Sequence, residues 1–312
     1  MRGRLAKLVA TACLCLMTYG SAWAAGAISV WVALSEDGGA HAEAAQALRA
    51  ELDRTPASRI DWQVAHWTRF TSSKPEPQWV VAIGATAQRG MQELFADDAT
   101  PPPLLSLLVP RFAFERIADP GRLRAGTLSA VYLDQPPARQ LDLIRLALPD
   151  VRNLGMLVGA ESKAHVVAFD KAAKERGINV VVAQAETERL FPTLQAMLSE
   201  VEALLAVPDP AVFNSKSAAN ILMTAYRSRV PLVGFSPAYV KAGALLAVYS
   251  TPVQIGTRGG AMLRQALAGR NLPPPQWPSD FVVSVSLDVA RSLGFVLHGP
   301  QLEEQLRQKE RP

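Results

Sequence analysis

Cysteine is almost absent from this chain: Cys13 and Cys15 are the two copies in 312 residues, and both fall within the first 24. Those 24 residues, MRGRLAKLVATACLCLMTYGSAWA, set three cations and no acid ahead of a short apolar run. They finish on Ala22-Trp23-Ala24, a small-x-small cleavage pattern before Ala25, as in a secretory signal peptide. Cleavage after Ala24 predicts an exported, periplasmic mature chain of 288 residues without cysteine. Such a chain can form no disulfide and offers neither a thiol nucleophile nor a thiolate metal ligand. Lipid attachment at Cys13 is disfavoured, because the apolar stretch ahead of it is confined to residues 8–12.

Long hydrophobic runs are missing too. The leader's apolar core is about a dozen residues where a bilayer-spanning helix needs about 20, and no later segment reaches that length, so no integral membrane segment is expected after cleavage. Surplus charge is equally scarce. The formal net charge is +4 for the whole chain, and Arg2, Arg4 and Lys7 leave with the leader, which reduces it to +1. A near-neutral chain gives no electrostatic case for nucleic acid, and the terminal RQKERP reads as a solvated tail. The four histidines, His41, His66, His165 and His298, are scattered with no His-Glu-x-x-His spacing, so neither a metal site nor a cofactor is expected.

What the chain does have is a recurring set of continuous apolar runs: ISVWVAL (28–34), WVVAI (79–83), LLSLLV (104–109), LSAVYL (128–133), NLGMLV (153–158), INVVVA (178–183), ALLAV (203–207) and VPLVGF (230–235). Continuous rather than alternating runs predict strands covered on both faces of a parallel sheet, while RIDWQVAH (59–66) alternates and predicts an edge strand. Helical patterns fill many gaps. DQPPARQLDLIRLALP, SKAHVVAFDKAAKERG and STPVQIGTRGGAMLRQALAG carry the best punctuation, the last with capping-box spacing between Thr251 and Gln254 around Pro252. The pattern is α/β, with strands numerous enough for two doubly wound parallel-sheet lobes joined by a multi-strand hinge. The expected division is a signal peptide at 1–24, a first lobe at 25–133 plus about 250–277, a second at 134–249 plus about 278–297, and a tail at 298–312. SPAYVKAG (236–243) is read as a crossing segment, after which ALLAVYSTPVQ returns the chain to the first lobe and its capped helix completes the cover of the first sheet.

VYLDQPPARQLDLIRLALPDVRNLGMLVGAES, LLAVPDPAVFN and PLVGFSPAYVKAGALLAVYSTPVQIG resemble the ABC-type substrate-binding proteins of the periplasmic binding protein type 1 superfamily, in the branch related to tryptophan-binding proteins. The resemblance is clearest over residues 130–270. It implies a bilobed, non-catalytic monomer with three hinge strands, closing on a small solute that it delivers to an ABC permease and its ATPase. The first lobe departs from the family pattern of Gly-Thr after the third strand, Asp-Pro after the fourth and Asn-x-Thr-Gly before the hinge. Gly84-Ala85-Thr86, VPRFAFER and RAGTLSA stand there instead. That departure motivates an alternative, in which the closed form is presented to a sensor or receptor.

Candidate ligand-binding residues follow from position. Gly84 and Gly159 each end an apolar strand ahead of a predicted helix, so the amides of residues 85–87 and 160–162, Ala85, Thr86 and Ser162 among them, could hold an anionic group; equally, glycine there permits a tight turn. Asp209, between two prolines at a strand's carboxyl end, reads as a ligand acceptor or as a helix cap, with Asn214 beside it. Tyr132, Asp134 and Gln135 occupy the first hinge, and Ser236 and Tyr239 the expected crossing. A serine hydrolase is the enzymatic alternative: Ser236 in GFSPA, Asp280 or Asp288, and His298 follow the chain order of the α/β-hydrolase triad. Ala238 in place of the second glycine, and Pro237 without an N–H for an oxyanion hole, count against it.

Overall fold

The computed structural model describes residues 27–54, 59–71, 76–160, 162–186 and 189–311. The leader, its cleavage site and both cysteines lie outside the described residues. The first lobe runs β1 (Ile28–Leu34), α1 (Gly39–Asp53), β2 (Ile60–His66), β3 (Trp79–Ile83), α2 (Ala85–Leu94), β4 (Leu104–Val109), α3 (Arg111–Ile117), α4 (Pro120–Ala125) and β5 (Leu128–Tyr132). Its strands form one parallel sheet in the order β2-β1-β3-β4-β5. All six residues of β4 are buried, as its unbroken apolar sequence requires, while β2 lies at the edge and exposes part of its length.

The second lobe continues with α5 (Pro137–Ala147), β6 (Asn153–Val158), α6 (Val166–Lys174), β7 (Asn179–Gln184), α7 (Leu190–Leu198), β8 (Ala203–Leu205), α8 (Ala218–Arg227), β9 (Leu232–Gly234), α9 (Pro237–Ala242) and β10 (Leu246–Tyr249). The chain then returns to the first lobe for α10 (Pro252–Leu267) and ends in the second with β11 (Val282–Val285), α11 (Leu287–Leu293) and α12 (Gly299–Glu310). The second sheet is ordered β11-β10-β9-β8-β6-β7, parallel except for β11 against β10. Without β11, each lobe has the same doubly wound order: its second strand at the edge, then its first, third, fourth and fifth. The strand order therefore reverses between β1 and β3 in one lobe and between β6 and β8 in the other, where ligands of such sheets bind beyond the carboxyl ends.

Helix α10 starts as its sequence predicts: the Thr251 hydroxyl accepts the Gln254 N–H, the Gln254 side chain accepts the Thr251 N–H, and Pro252 sits in the first turn. It packs along α1, with Ile255, Met262 and Leu263 meeting Ala44, Leu48 and the sheet residues Val81 and Leu107. The approach is close enough that a Cβ on Gly256 would stand 2.2 Å from the Ala44 carbonyl oxygen.

Two expectations are corrected. Residues 236–243 do not cross between lobes: Ser236 is the N-cap of α9, Pro237 its first residue, and Gly243, at φ 121°, ends it inside the second lobe. Strand β10 then pairs with β9 and β11, so the return to the first lobe begins only after Tyr249. The C-terminal segment is not a tail through residue 310. It forms α12, which buries Leu302 and Leu306 in the core shared with α5 and β11, and Arg307 donates to the Phe281 carbonyl oxygen. Two leucines four residues apart give this charged segment an apolar stripe.

Candidate functional site

At the switch point of each lobe, one side chain binds a backbone amide from the neighbouring rim loop. In the first lobe, Ser35 follows β1 and its hydroxyl accepts the Ala87 N–H at 2.9 Å. Gly84 ends β3 at φ 94°, and a Cβ there would stand 2.4 Å from Ser35 Oγ and 2.7 Å from His41 Nε2. Burial pushes the His41 imidazole below its ordinary pKa, against the opposing pull of Glu36. In the second lobe, Asp209 follows β8, and its Oδ2 accepts the Gly159 N–H at 2.7 Å together with the Ser162 hydroxyl. Its Oδ1 accepts the Ala211 N–H at 2.9 Å. Asp209 is 2% exposed, so its carboxylate ties the loops after β6 and β8 together and is enclosed by the chain's own donors.

Three chain crossings gather at the hinge. Gln276 brackets the end of β5: its N–H donates to the Ala130 carbonyl and its carbonyl accepts the Tyr132 N–H. Gln135 Nε2 donates to Ser250 Oγ at 2.9 Å, and Ser250 donates in turn to the Asp280 carbonyl. Buried Arg139 reaches Gln135 Oε1 (2.7 Å) and the Pro278 carbonyl (2.9 Å) and forms a two-pronged pair with Glu310 of α12 at 2.6 and 2.7 Å. The crossings are thus fastened by one parallel β-bridge, Gln276 beside Val131, and by side-chain hydrogen bonds and ion pairs.

Beside the hinge, the two lobes line a narrow cavity that is partly open to solvent. Arg111 and Phe112 at the start of α3 bring the first lobe to it, and Asp134 and Trp277 come from two of the crossings. The second lobe supplies Gln140, Met156, Ser162, Val166, Phe169 and Val207. A bulge in β4, with Leu108 at φ 55°, precedes the Pro110 turn that carries Arg111 to the hinge. There the Arg111 backbone N–H donates to Asp134 Oδ1 at 2.7 Å. Burial pushes the Asp134 carboxyl up to about 6; the Arg111 N–H and guanidinium oppose the shift and Glu115 adds to it. The cavity is mostly apolar with a few polar groups at one end, which is the usual make-up of a small-molecule site.

Of the residues singled out in the sequence, Asp134 and Ser162 line this cavity. Gly159 and Asp209 stand directly behind Ser162 through the contacts above. Tyr132 is behind Trp277, ring centroids 5.1 Å apart, and burial pushes its hydroxyl up to about 12. Gly84, Ala85 and Thr86 form the first-lobe rim and are not among the residues lining the cavity. Asn214 and Tyr239 line a different depression with Phe213 and Phe235, where Asn214 Oδ1 accepts the N–H groups of Lys216 and Ser217. Ser236 caps α9 by position, and among the described residues no hydrogen bond joins it to His298, Asp280 or Asp288. The cavity residues that sequence reasoning passed over are Arg111, Phe112, Gln140, Phe169 and Trp277. Only Trp277, in the proline-flanked QWP of a crossing, carries a local cue.

The family model for ABC transporter substrate binding proteins matches residues 125–292. No curated protein matches the chain. Among solved structures, an ABC domain from Streptococcus pneumonia in complex with L-Trp is 18% identical, covers 89% of this chain and 98% of its own, and superposes with a TM-score of 0.61. A conserved domain protein from Vibrio cholerae is 17% identical over 88% and 97%, with a TM-score of 0.63. A substrate binding protein with adhesive properties from Clostridium difficile, in a ligand-free, open structure, is 18% identical over 86% and 96%, with a TM-score of 0.66. At these identities the likeness is one of fold: two α/β lobes of the periplasmic binding type.

Proposed function

Because the chain belongs to the ABC transporter substrate binding protein family, we propose that it is an exported solute receptor. It closes on a small amphipathic organic molecule, an amino acid or a related compound, and delivers it to an ABC permease and its ATPase. The observation that carries this reading is the cavity at the hinge, walled by α3 of one lobe, by α5, α6, β6 and the loop after β8 of the other, and by two crossings. A solute there touches both lobes at once. It makes its full set of contacts only when they are together, so binding shifts the population towards the closed form. Burying an apolar body the size of a Leu or Phe side chain against Phe112, Phe169 and Trp277 contributes about 1.5–3 kcal/mol. The L-Trp of the Streptococcus protein is a solute of this amphipathic kind.

Export agrees with the leader sequence and with the family's transport role. Among the described residues no helix is long and apolar enough to cross a membrane. The test is a thermal-shift screen of the mature chain across amino acids, amines, nucleosides and small carboxylates, followed by small-angle scattering on the hits. A cognate solute raises the melting temperature and reduces the radius of gyration; a hit that leaves the radius unchanged counts against closure. Affinity capture with solute present is expected to recover a permease with its ATPase. Recovery of a sensor protein alone would move the output from transport to signalling. A fluorophosphonate is expected to leave Ser236 unlabelled, whereas stoichiometric labelling would make the chain a hydrolase.

A further inference from the structure

The charges around the hinge cavity narrow its solute further. Arg111 and Asp134 lie on its wall, and Glu115 lies one turn along α3. Arg111 Nε donates to Glu115 Oε1 at 2.5 Å, and its guanidinium sits 5.5 Å from the Trp277 ring centre. The positive charge of Arg111 is therefore already answered by a carboxylate. Asp134 receives a neutral backbone donor, the Arg111 N–H, and among the described residues no cationic side chain forms an ion pair with it. The second-lobe wall brings no charge to compensate: Gln140 donates to the Gln135 carbonyl and Ser162 to Asp209, and the remaining lining side chains there are apolar.

The rim amides that a solute carboxylate would use are partly occupied as well, Gly159's by Asp209 and Ala87's by Ser35. With Glu115 behind the wall counted in, the group of Arg111, Glu115 and Asp134 carries one surplus negative charge, and Asp134 is the carboxyl that faces the cavity beside apolar surface. A cation brought to it gains a charge-assisted hydrogen bond and relieves the penalty of holding that charge away from water. A second negative group on the same solute would meet Asp134 and Glu115 with no free cation opposite. We infer that the cavity selects a monocationic amphiphile: a primary amine with an apolar body and no carboxylate, its ammonium on Asp134 and its body between Phe112, Phe169 and Trp277. This inference rests on the cavity being the solute site.

The experiment holds the body constant and changes the head. Dissociation constants of the mature chain are measured at pH 7.5 for 2-phenylethylamine, phenylalanine and 3-phenylpropionate. Isoamylamine, leucine and 4-methylpentanoate repeat the series on a smaller body, and calorimetry and the part of the tryptophan fluorescence change that Trp277→Phe removes provide two readouts. The amine is expected to bind at least tenfold more tightly than the amino acid of the same body, with the carboxylate weakest. Asp134→Asn should abolish that ranking, since Asn keeps an acceptor for the Arg111 N–H but loses the charge. With Asp134 titrating near 6 between Arg111, Glu115 and neutral second-lobe groups, amine affinity should be flat above pH 7 and fall by up to tenfold per unit below 6. Amino acids or carboxylates binding as tightly as the amines, or an unchanged ranking in Asp134→Asn, would overturn the inference and leave a solute receptor standing. No response in either series, with other solutes binding and no Trp277-dependent fluorescence change, would overturn the inference together with the placing of the solute in this cavity.

Discussion

The two rims do the same job with opposite chemistry. Each lobe joins the loops on either side of its switch point by presenting an acceptor to a backbone amide. In the first lobe the acceptor is a neutral hydroxyl, Ser35, and in the second a carboxylate, Asp209, that takes two amides and a hydroxyl. Each rim also needs a glycine, for partly different reasons. Gly84 sits at a positive φ that side chains rarely adopt, whereas Gly159 does not and is held small by Asp209 and Ala211, 2.9 and 3.0 Å from where its Cβ would be. Both glycines are thus held small by close neighbours, Gly84 by Ser35 and His41 and Gly159 by Asp209 and Ala211; the second rim adds a charge, the first a backbone conformation. A strand followed by Gly-Ala, read twice in one sequence, is not the same device twice.

The second rim is most vulnerable at Asp209. Asp209→Ala leaves the Gly159 and Ala211 amides and the Ser162 hydroxyl without their acceptor, and should cost about 3–5 kcal/mol in urea unfolding. A loss under 1 kcal/mol would mean that water replaces the carboxylate. The glycines come next. Gly84→Ala and Gly159→Ala should each destabilise by about 1–3 kcal/mol. A double-mutant cycle separates them: Asp209→Ala should absorb most of the Gly159→Ala cost, whereas Ser35→Ala should leave most of the Gly84→Ala cost in place, since the φ remains. Equal coupling in both lobes would erase the distinction.

At the hinge, Asp134→Asn should stabilise the free protein at pH 7.5 by about 1–2 kcal/mol. That allows for partial solvent screening of a carboxyl raised from 3.8 to about 6. A carboxyl with a raised folded pKa contributes its stability below pH 4 and loses it as pH rises through 6. The advantage of the variant should therefore open between pH 4 and 6 and be absent at pH 3.5. The smallest effect is Ser35→Ala, about 1 kcal/mol by thermal melting, for one neutral hydrogen bond.

Much of the fold is legible in the sequence because burial on both faces of a parallel sheet dictates uninterrupted apolar runs. Strand β4 and the capping box of α10 are the clearest cases, since each is decided by residues adjacent in the chain. Helix α12 is obscured because its two core leucines sit among eight polar residues, and SPAYVKAG misleads because Ser-Pro starts a helix as readily as it starts a crossing. The site is less legible for a geometric reason. Whether Asp209 faces a solute or its own chain depends on Gly159 and Ser162, about fifty residues earlier. The cavity itself is assembled from Arg111, Phe169 and Trp277, which no local pattern connects.

The return of the chain to its first half has a consequence for how the polypeptide matures. Helix α10 seals α1 and the first sheet from about 200 residues downstream, so the opening third of the molecule cannot complete its interior until most of the second lobe has been synthesised. Such distant closure slows folding, because the entropy of a long loop is lost before the contacts that reward it are made. A chain built this way reaches its finished interior only once the downstream half is available, so its connectivity acts as a timer.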